Sequence, residues 1–256
     1  MSRIATLVYG VLTYALFLGV FLYAIGFIGG FLTPTSLDGA PTRPLGVALA
    51  IDLGLLVAFA VQHSGMARPA FKRWWTRFVP PPAERATYVL FTNVAMIILF
   101  LAWQPIGGVV WQTEGAVRMA VSGVYLLGWA VLFYATCLID HLDLFGVKQV
   151  WRRFRNQDYV PPQFHTPGMY RVVRHPLYVG WLMIFWAAPT MTAAHLLFAL
   201  VTTAYILVAI RLEERDLLDA FPDYAEYRRR TPMLIPRIGR RREAGQAAAR
   251  SAAPGR

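Results

Sequence analysis

Long apolar runs separated by short, mostly basic loops constrain the fold of this 256-residue chain more than any other feature. About 20 apolar residues cross a bilayer core as a helix. Only a helix or a closed barrel satisfies its own backbone N–H and C=O groups where water is absent. By length, Ile4–Leu32, Leu45–Gln62 and Val117–Ile139 read as spans, and Tyr88–Trp103 as a shorter one. Leu177–Trp186 and His195–Ile210 are each shorter than a comfortable span, and Ala188-Pro189-Thr190 breaks the chain between them. A tight helical hairpin, inserted as a unit, accounts for both. The expected fold class is therefore all-α: a polytopic transmembrane bundle of about five to six helices with a C-terminal helical hairpin. The first run is too long for a signal-peptide core and lacks a cleavage site, so it reads as a retained span. No internal repeat is evident.

Composition supports the same class. The chain is 57% hydrophobic and 15% charged, with a mean hydropathy of +0.44, whereas soluble domains carry nearer a quarter charged residues. A net charge of +11 raises the question of a nucleic-acid partner. The bases flank apolar runs, however, and the positive-inside rule accounts for them without nucleic acid. Arg68, Lys72, Arg73, Arg77 and Arg85 follow the second run. Lys148, Arg152, Arg153, Arg155, Arg171 and Arg174 follow the fourth, and Arg211, Arg215, Arg228, Arg229 and Arg230 follow the last. The alternate loops, Thr33–Pro44 and Gln104–Ala116, hold only Arg43. Every basic loop is thus assigned to the cytoplasmic side, with both termini there. Gly239–Arg256, rich in Ala, Arg and Gly, reads as a disordered basic tail after a single domain over residues 1–238.

Polar residues then converge at one depth. Gln62-His63-Ser64 ends the second span, Asp140-His141-Leu142-Asp143 ends the fourth, Arg174-His175-Pro176 opens the hairpin, and Arg211-Leu212-Glu213-Glu214 closes it, all on the basic side. Each taken alone suits an interfacial anchor. Jointly, opposite span ends that are nearly bare, they point to a shared pocket. Pro176 suits the first position of a helix, whose free N–H groups make an anion site. Arg174 adds charge there, and Glu213 or Glu214 offers a partner for an ammonium. Tyr170, Tyr178 and Trp181 supply faces for an adenine ring or a sulfonium.

Elsewhere, Asp52 and Asn93 read as helix-to-helix bonding groups, His195 as a surface residue beside the outer turn, and Cys137 as packing within a span. A single cysteine excludes an intramolecular disulfide. His63, His141, His165 and His175 lack the i, i+4 spacing of a helical metal site, so no metal is expected.

The run Thr166-Pro167-Gly168-Met169-Tyr170-Arg171-Val172-Val173-Arg174-His175-Pro176-Leu177-Tyr178-Val179-Gly180-Trp181 resembles the cofactor motif of the isoprenylcysteine carboxyl methyltransferase superfamily. Glu213-Glu214-Arg215-Asp216-Leu217, with Phe221, Tyr224 and Tyr227, is similar to the second half of that signature. The pair covers about the last 80 residues. The resemblance implies S-adenosyl-L-methionine as cofactor, with a cofactor-binding part at about 158–230. It implies cofactor contacts from Pro162, Gln163, Phe164, His165, Tyr170, Arg174, His175, Pro176, Leu177, Tyr178 and Glu213 or Glu214. Pro161-Pro162-Gln163 departs from the usual loop pattern.

Val61-Gln62-His63-Ser64-Gly65-Met66-Ala67-Arg68 and Asp140-His141-Leu142-Asp143-Leu144-Phe145-Gly146 are similar to the nurim/NnrU-type branch. Within it the whole chain resembles the bacterial methanethiol S-methyltransferases. That likeness implies a multi-pass enzyme of the bacterial inner membrane, its active site facing the cytoplasm. It implies methylation of a small volatile thiol, methanethiol to dimethyl sulfide, with hydrogen sulfide as a second acceptor.

A thiol is mostly protonated near neutrality and its thiolate is the nucleophile. His63 and His141, with Asp140 as orienting group, are therefore the candidate bases, and Arg211 is an alternative anion stabiliser. A prenylcysteine or lipid acceptor, and a non-catalytic membrane protein, are the competing readings.

Overall fold

A computed structural model describes residues 1–237; the basic tail expected from Gly239 lies outside them. Five of its helices are long and apolar enough to cross a membrane: α1 (Arg3–Gly29), α2 (Leu45–Ala67), α4 (Pro81–Ala102), α5 (Gly115–Leu138) and α9 (Ala193–Ala220). Short helices occupy the connections: α3 (Pro69–Trp75), α6 (His141–Leu144), α7 (Val147–Phe154) and α10 (Tyr224–Arg230). The remaining apolar helix, α8 (Pro176–Trp186), has 11 residues. The protein is an all-α polytopic membrane bundle.

The C-terminal hairpin is asymmetric. Its second run, expected to be short, forms the longest helix, 28 residues, because Arg211–Ala220 continues it past the apolar part. At 1.5 Å per residue that is about 42 Å, longer than a bilayer core of about 30 Å. The short arm, α8, is extended by Ala187–Thr192, in which β2 (Thr190–Thr192) pairs antiparallel with β1 (Val109–Gln112). This two-stranded sheet lies between the ends of α4 and α5 and ties the hairpin turn to the sparsely charged face.

His195 is a correction to the sequence reading. It is 2% exposed, with Nε2 3.1 Å from the Phe185 carbonyl and Nδ1 3.5 Å from Asp38. Thr192, which caps α9 by accepting from the His195 amide at 3.1 Å, also bonds Asp38. The outer turn is thus folded inward by polar bonds that a hydropathy pattern does not show. Asp52 accepts from the Gln104 amide at 2.8 Å, and Asn93 donates to the Thr13 carbonyl at 3.2 Å, so both join helices as expected.

Small residues set the helix seams, as is usual where lipid is as apolar as the side chains. On α1 the buried positions Thr6, Gly10, Thr13, Val20, Ala24 and Phe27 fall along one narrow stripe. Gly10 meets Val150 of α7 there. Where α5 crosses α8, a Cβ on Gly180 would lie 2.8 Å from the Leu132 amide nitrogen and 2.9 Å from the Gly128 carbonyl. Those are backbone atoms, so the helices themselves must separate. Gly180→Ala is expected to cost about 1–3 kcal/mol by overpacking and to lower the melting temperature in detergent. Gly123→Ala on the same α5, where nothing stands within 4 Å, leaves it unchanged.

Candidate functional site

The basic-side ends of the helices hold three polar groupings, and the anticipated site residues divide among them. The first is built around His141. Asp140 adopts φ +85° and caps α6, accepting from the Asp143 amide at 3.1 Å. This turn ends α5 sharply and swings His141 back against the bundle. Thr136, in the last turn of α5, donates to the Phe133 carbonyl at 2.7 Å and presents its oxygen to His141 Nδ1 at 2.8 Å. The Tyr14 hydroxyl of α1 lies 2.9 Å from His141 Nε2.

The rings of Phe133, Phe145, Tyr14 and Phe17 surround the imidazole, with centroids 4.7–6.4 Å away. Burial lowers the His141 pKa below its ordinary 6.5, so the ring is neutral at pH 7. The side chain of Asp140, the orienting group the sequence suggests, bonds the Asp143 amide and Lys148, while the described contacts of the His141 ring nitrogens are to Thr136 and Tyr14. Burial would raise the Asp140 carboxyl, yet the Lys148 ammonium and the Asp143 amide outweigh it and hold the group below its usual range.

Beside this grouping opens a cavity of about 720 Å³, lined by His141, Asp140, Lys148 and Cys137 and by the loop Pro162, Gln163, Phe164 and His165. Cys137 therefore faces a cavity and is exposed, where packing within a span was expected. Phe164 anchors the loop: its ring lies 5.5–5.7 Å from those of Phe221, Tyr224 and Tyr227. Tyr227 in turn donates to the Tyr170 carbonyl. Burial keeps the Tyr224 phenol protonated, and among the described residues its buried hydroxyl has no partner.

The second grouping surrounds Glu214, which is 5% exposed. Its Oε1 accepts from Arg174 Nε at 2.7 Å and lies 3.0 Å from His175 Nε2, and its Oε2 meets Arg228 Nε at 3.1 Å. Arg174 spends further donors on the carbonyls of Arg228 and Thr231. The backbone follows: the Arg174 amide donates to Pro232 at 2.8 Å and the His175 amide to Met233 at 3.2 Å. Glu214 and Arg174 therefore clamp the C-terminal segment over the start of α8, and neither offers a vacant charge to a ligand.

Glu213 is engaged only by the Tyr178 hydroxyl, at 3.1 Å, among the described residues. Pro176 occupies the first position of α8, and no described group accepts from the Leu177 and Tyr178 amides. Arg211, with Glu214 and Arg228, lines a smaller cavity of about 280 Å³.

His63 belongs to the third. Its ring stacks on Phe59 at 5.2 Å, and the Tyr88 hydroxyl lies 2.9 Å from Nε2. Thr92 Oγ1 is 3.2 Å from Nδ1. Nearby, Ser64 bonds Tyr205 at 3.0 Å. Neither cavity includes His63 in its wall. The structure thus brings Asp140 and His141 to the Pro162–His165 loop, and groups Arg174 and His175 with Glu214. It leaves His63 with its own partners.

Sequence reasoning missed Tyr14, Thr136 and Lys148 as site residues. Tyr14, Phe17 and Phe21 share a helical spacing inside an apolar run, and that was the one available signal for the first.

A family model described as phospholipid methyltransferase matches residues 119–223, a segment that includes His141, Arg174, His175 and Glu214. The chain is 51% identical over 243 residues to methanethiol S-methyltransferase 2 of Bradyrhizobium diazoefficiens, covering 94% of this chain and 93% of that protein. It is 50% identical to methanethiol S-methyltransferase of Crocosphaera subtropica over 94% of this chain and 95% of that protein. Nurim of Sus scrofa is 32% identical over 67% of this chain and 68% of that protein. No solved structure matches. On identity that runs nearly end to end, the chain belongs to the methanethiol S-methyltransferase family, and it is a membrane methyltransferase.

Proposed function

We propose that the protein transfers a methyl group from S-adenosyl-L-methionine to methanethiol, giving dimethyl sulfide, at the cytoplasmic face of a bacterial inner membrane. Hydrogen sulfide is a second acceptor by the same chemistry. The observation that carries the reading is a hydrogen-bonded His141 in the wall of a cavity of about 720 Å³ that the Pro162–His165 loop also lines. The relatives in Bradyrhizobium diazoefficiens and Crocosphaera subtropica, both named for methanethiol, point to the acceptor.

The cofactor supplies an electrophilic methyl on a sulfonium. The residues present suit it. The cavity lies within the range of small-molecule sites, roughly 300–1,000 Å³. The orphan Tyr224 hydroxyl is a donor without an acceptor, and the free amides at the start of α8 favour an anion. Pro162–His165, on the cavity wall, would hold the group, with Tyr170, the His175–Tyr178 turn and Glu213, which stand off that wall, as the further contacts the family resemblance implies.

The chain's own contribution is to position the acceptor and activate it. Aromatic rings around His141 suit a small apolar thiol, since sulfur packs favourably against ring edges. Methyl transfer from a sulfonium to a thiolate destroys charge, so a site that excludes water favours it over the separated ions. Holding sulfur and methyl in line supplies much of the remaining rate.

A lipid acceptor is the second reading, favoured by the phospholipid methyltransferase match over residues 119–223. Purified protein in nanodiscs, supplied with methyl-deuterated S-adenosylmethionine and methanethiol, distinguishes them. Mixed-isotope dimethyl sulfide in the headspace is expected. Deuterium recovered only in lipid would displace methanethiol as the acceptor.

A further inference from the structure

The connection between α2 and α4 carries a cluster of rings and bases that lines neither cavity. α2 ends at Ala67 and α4 begins at Pro81, so α3 is confined to the plane where both spans leave the membrane. Its seven residues include Phe71, Trp74 and Trp75 with Lys72 and Arg73, and none of them is buried. Trp74 and Phe78 are 48% and 69% exposed. Rings held at this depth suit the membrane–water boundary, where an indole meets apolar chains on one side and headgroups on the other.

The rings form a track that descends from this plane. The Trp74 centroid lies 5.5 Å from that of Phe78 and 5.7 Å from that of Trp75, which is 6.1 Å from Phe91 of α4. Phe91 is itself exposed, and at 1.5 Å per residue it stands about 9 Å deeper along α4 than Arg85. The head of the track is cationic. Lys72 has Arg85 of α4 and Arg68 as neighbours, with Glu84 and Asp216 as the nearby acids. Asp216 is spent on Arg68 at 2.8 Å. Among the described residues neither Lys72 nor Arg85 forms a salt bridge. Burial and the Arg85 guanidinium hold the Lys72 ammonium below its usual range. Arg85 lies over the Tyr88 ring at 5.9 Å, and the buried Trp75 Nε1–H has no acceptor among the described residues. Three donors thus lack an acceptor at the head of an apolar track.

We propose that α3 and the first turn of α4 bind an anionic phospholipid, its phosphate between Lys72 and Arg85 and an acyl chain along Trp75 and Phe91. Charge and depth together select this occupant. Residues 68–85 hold five bases against one acid, and each base beside an anionic leaflet favours binding. A zwitterionic lipid matches the rings but leaves the excess charge unbalanced. A free phosphate matches the charge but leaves the rings bare. The lipid is a resident ligand and stands apart from the methyl acceptor, since no residue of its site lines the cavity beside His141.

The test is native mass spectrometry of full-length protein in detergent, titrated with phosphatidylglycerol or with phosphatidylcholine of the same chains. Wild type is expected to bind its first phosphatidylglycerol about tenfold more tightly than phosphatidylcholine. Lys72→Ala combined with Arg85→Ala is expected to weaken that first lipid about 30-fold, as for two basic side chains at an anionic surface. Arg229→Ala combined with Arg230→Ala removes the same charge, from bases paired with Glu226, and leaves the affinity unchanged. Equal weakening by both double variants would overturn the inference, because charge alone would then explain binding. Equal affinity for the two lipids would overturn it too, as would displacement of phosphatidylglycerol by inorganic phosphate at matched ionic strength. Should the first double variant fail to insert, Lys72→Gln carries the same comparison with a loss of about fivefold. An unchanged affinity there overturns the inference equally.

Discussion

Glu214→Ala is expected to destabilise the protein by about 3–5 kcal/mol, the range for breaking a buried ion pair from one side. The loss exceeds one contact because three groups depend on this carboxylate. Arg174, His175 and Arg228 all converge on it within 3.1 Å, and the Arg174 side chain is only 10% exposed. Without Glu214 a guanidinium stays buried beside a histidine with no counter-charge. The Arg174 and His175 amides also hold Pro232 and Met233, so the C-terminal segment loosens with them. Thermal unfolding in detergent checks the stability term, and calorimetry with S-adenosylhomocysteine checks the loss of cofactor affinity. Arg228→Ala sets the scale: that side chain is half-exposed, and its loss is expected to cost about 0–1 kcal/mol, as for a surface pair.

The largest kinetic effect is expected at His141. His141→Gln should lower kcat for methanethiol by about 10²–10⁴, the usual range for removing a general base, while S-adenosylhomocysteine affinity changes little. The split follows from placement: among the described residues the His141 ring bonds only Tyr14 and Thr136, whereas the clamp around Glu214 stands on other helices. The pH direction follows from burial. The folded-state pKa of His141 is depressed below 6.5, and on the proposed function the neutral ring acts as the base. Wild-type activity is therefore retained through neutrality and lost only as pH falls through that lowered value. Stopped-assay gas chromatography across pH 5–8 measures it. An acid limb above pH 6.5 would place the base elsewhere.

How much of this was legible in the sequence depends on which force made each feature. The spans were readable because hydrocarbon imposes length and apolarity on every crossing helix. Their seams were not. A helix that is apolar all round has no amphipathic stripe to mark its packed face, and only small residues such as Gly10, Gly128 and Gly180 carry that information. The extent of α9 was underestimated because Arg211–Ala220 is polar, although the helix simply runs on beyond the membrane. Convergence at the basic ends was visible, and Asp140, His141 and the Pro162–His165 loop do share a wall. Its partition was invisible. Nothing in Glu213-Glu214 tells which carboxylate is spent on arginines, and nothing in an apolar run tells that Tyr14 meets His141 from 127 residues away. Those choices are set by tertiary distance and by the count of donors that arrive.

The most direct measurement uses Cys137, the single cysteine of the chain, which lines the large cavity beside His141. The rate at which a membrane-permeant maleimide labels it can be followed with and without saturating S-adenosylhomocysteine. If the cofactor occupies the space between His141 and the Pro162–His165 loop, bound product slows the labelling several-fold, in proportion to its occupancy. Binding shown by calorimetry together with an unchanged labelling rate would contradict that placement.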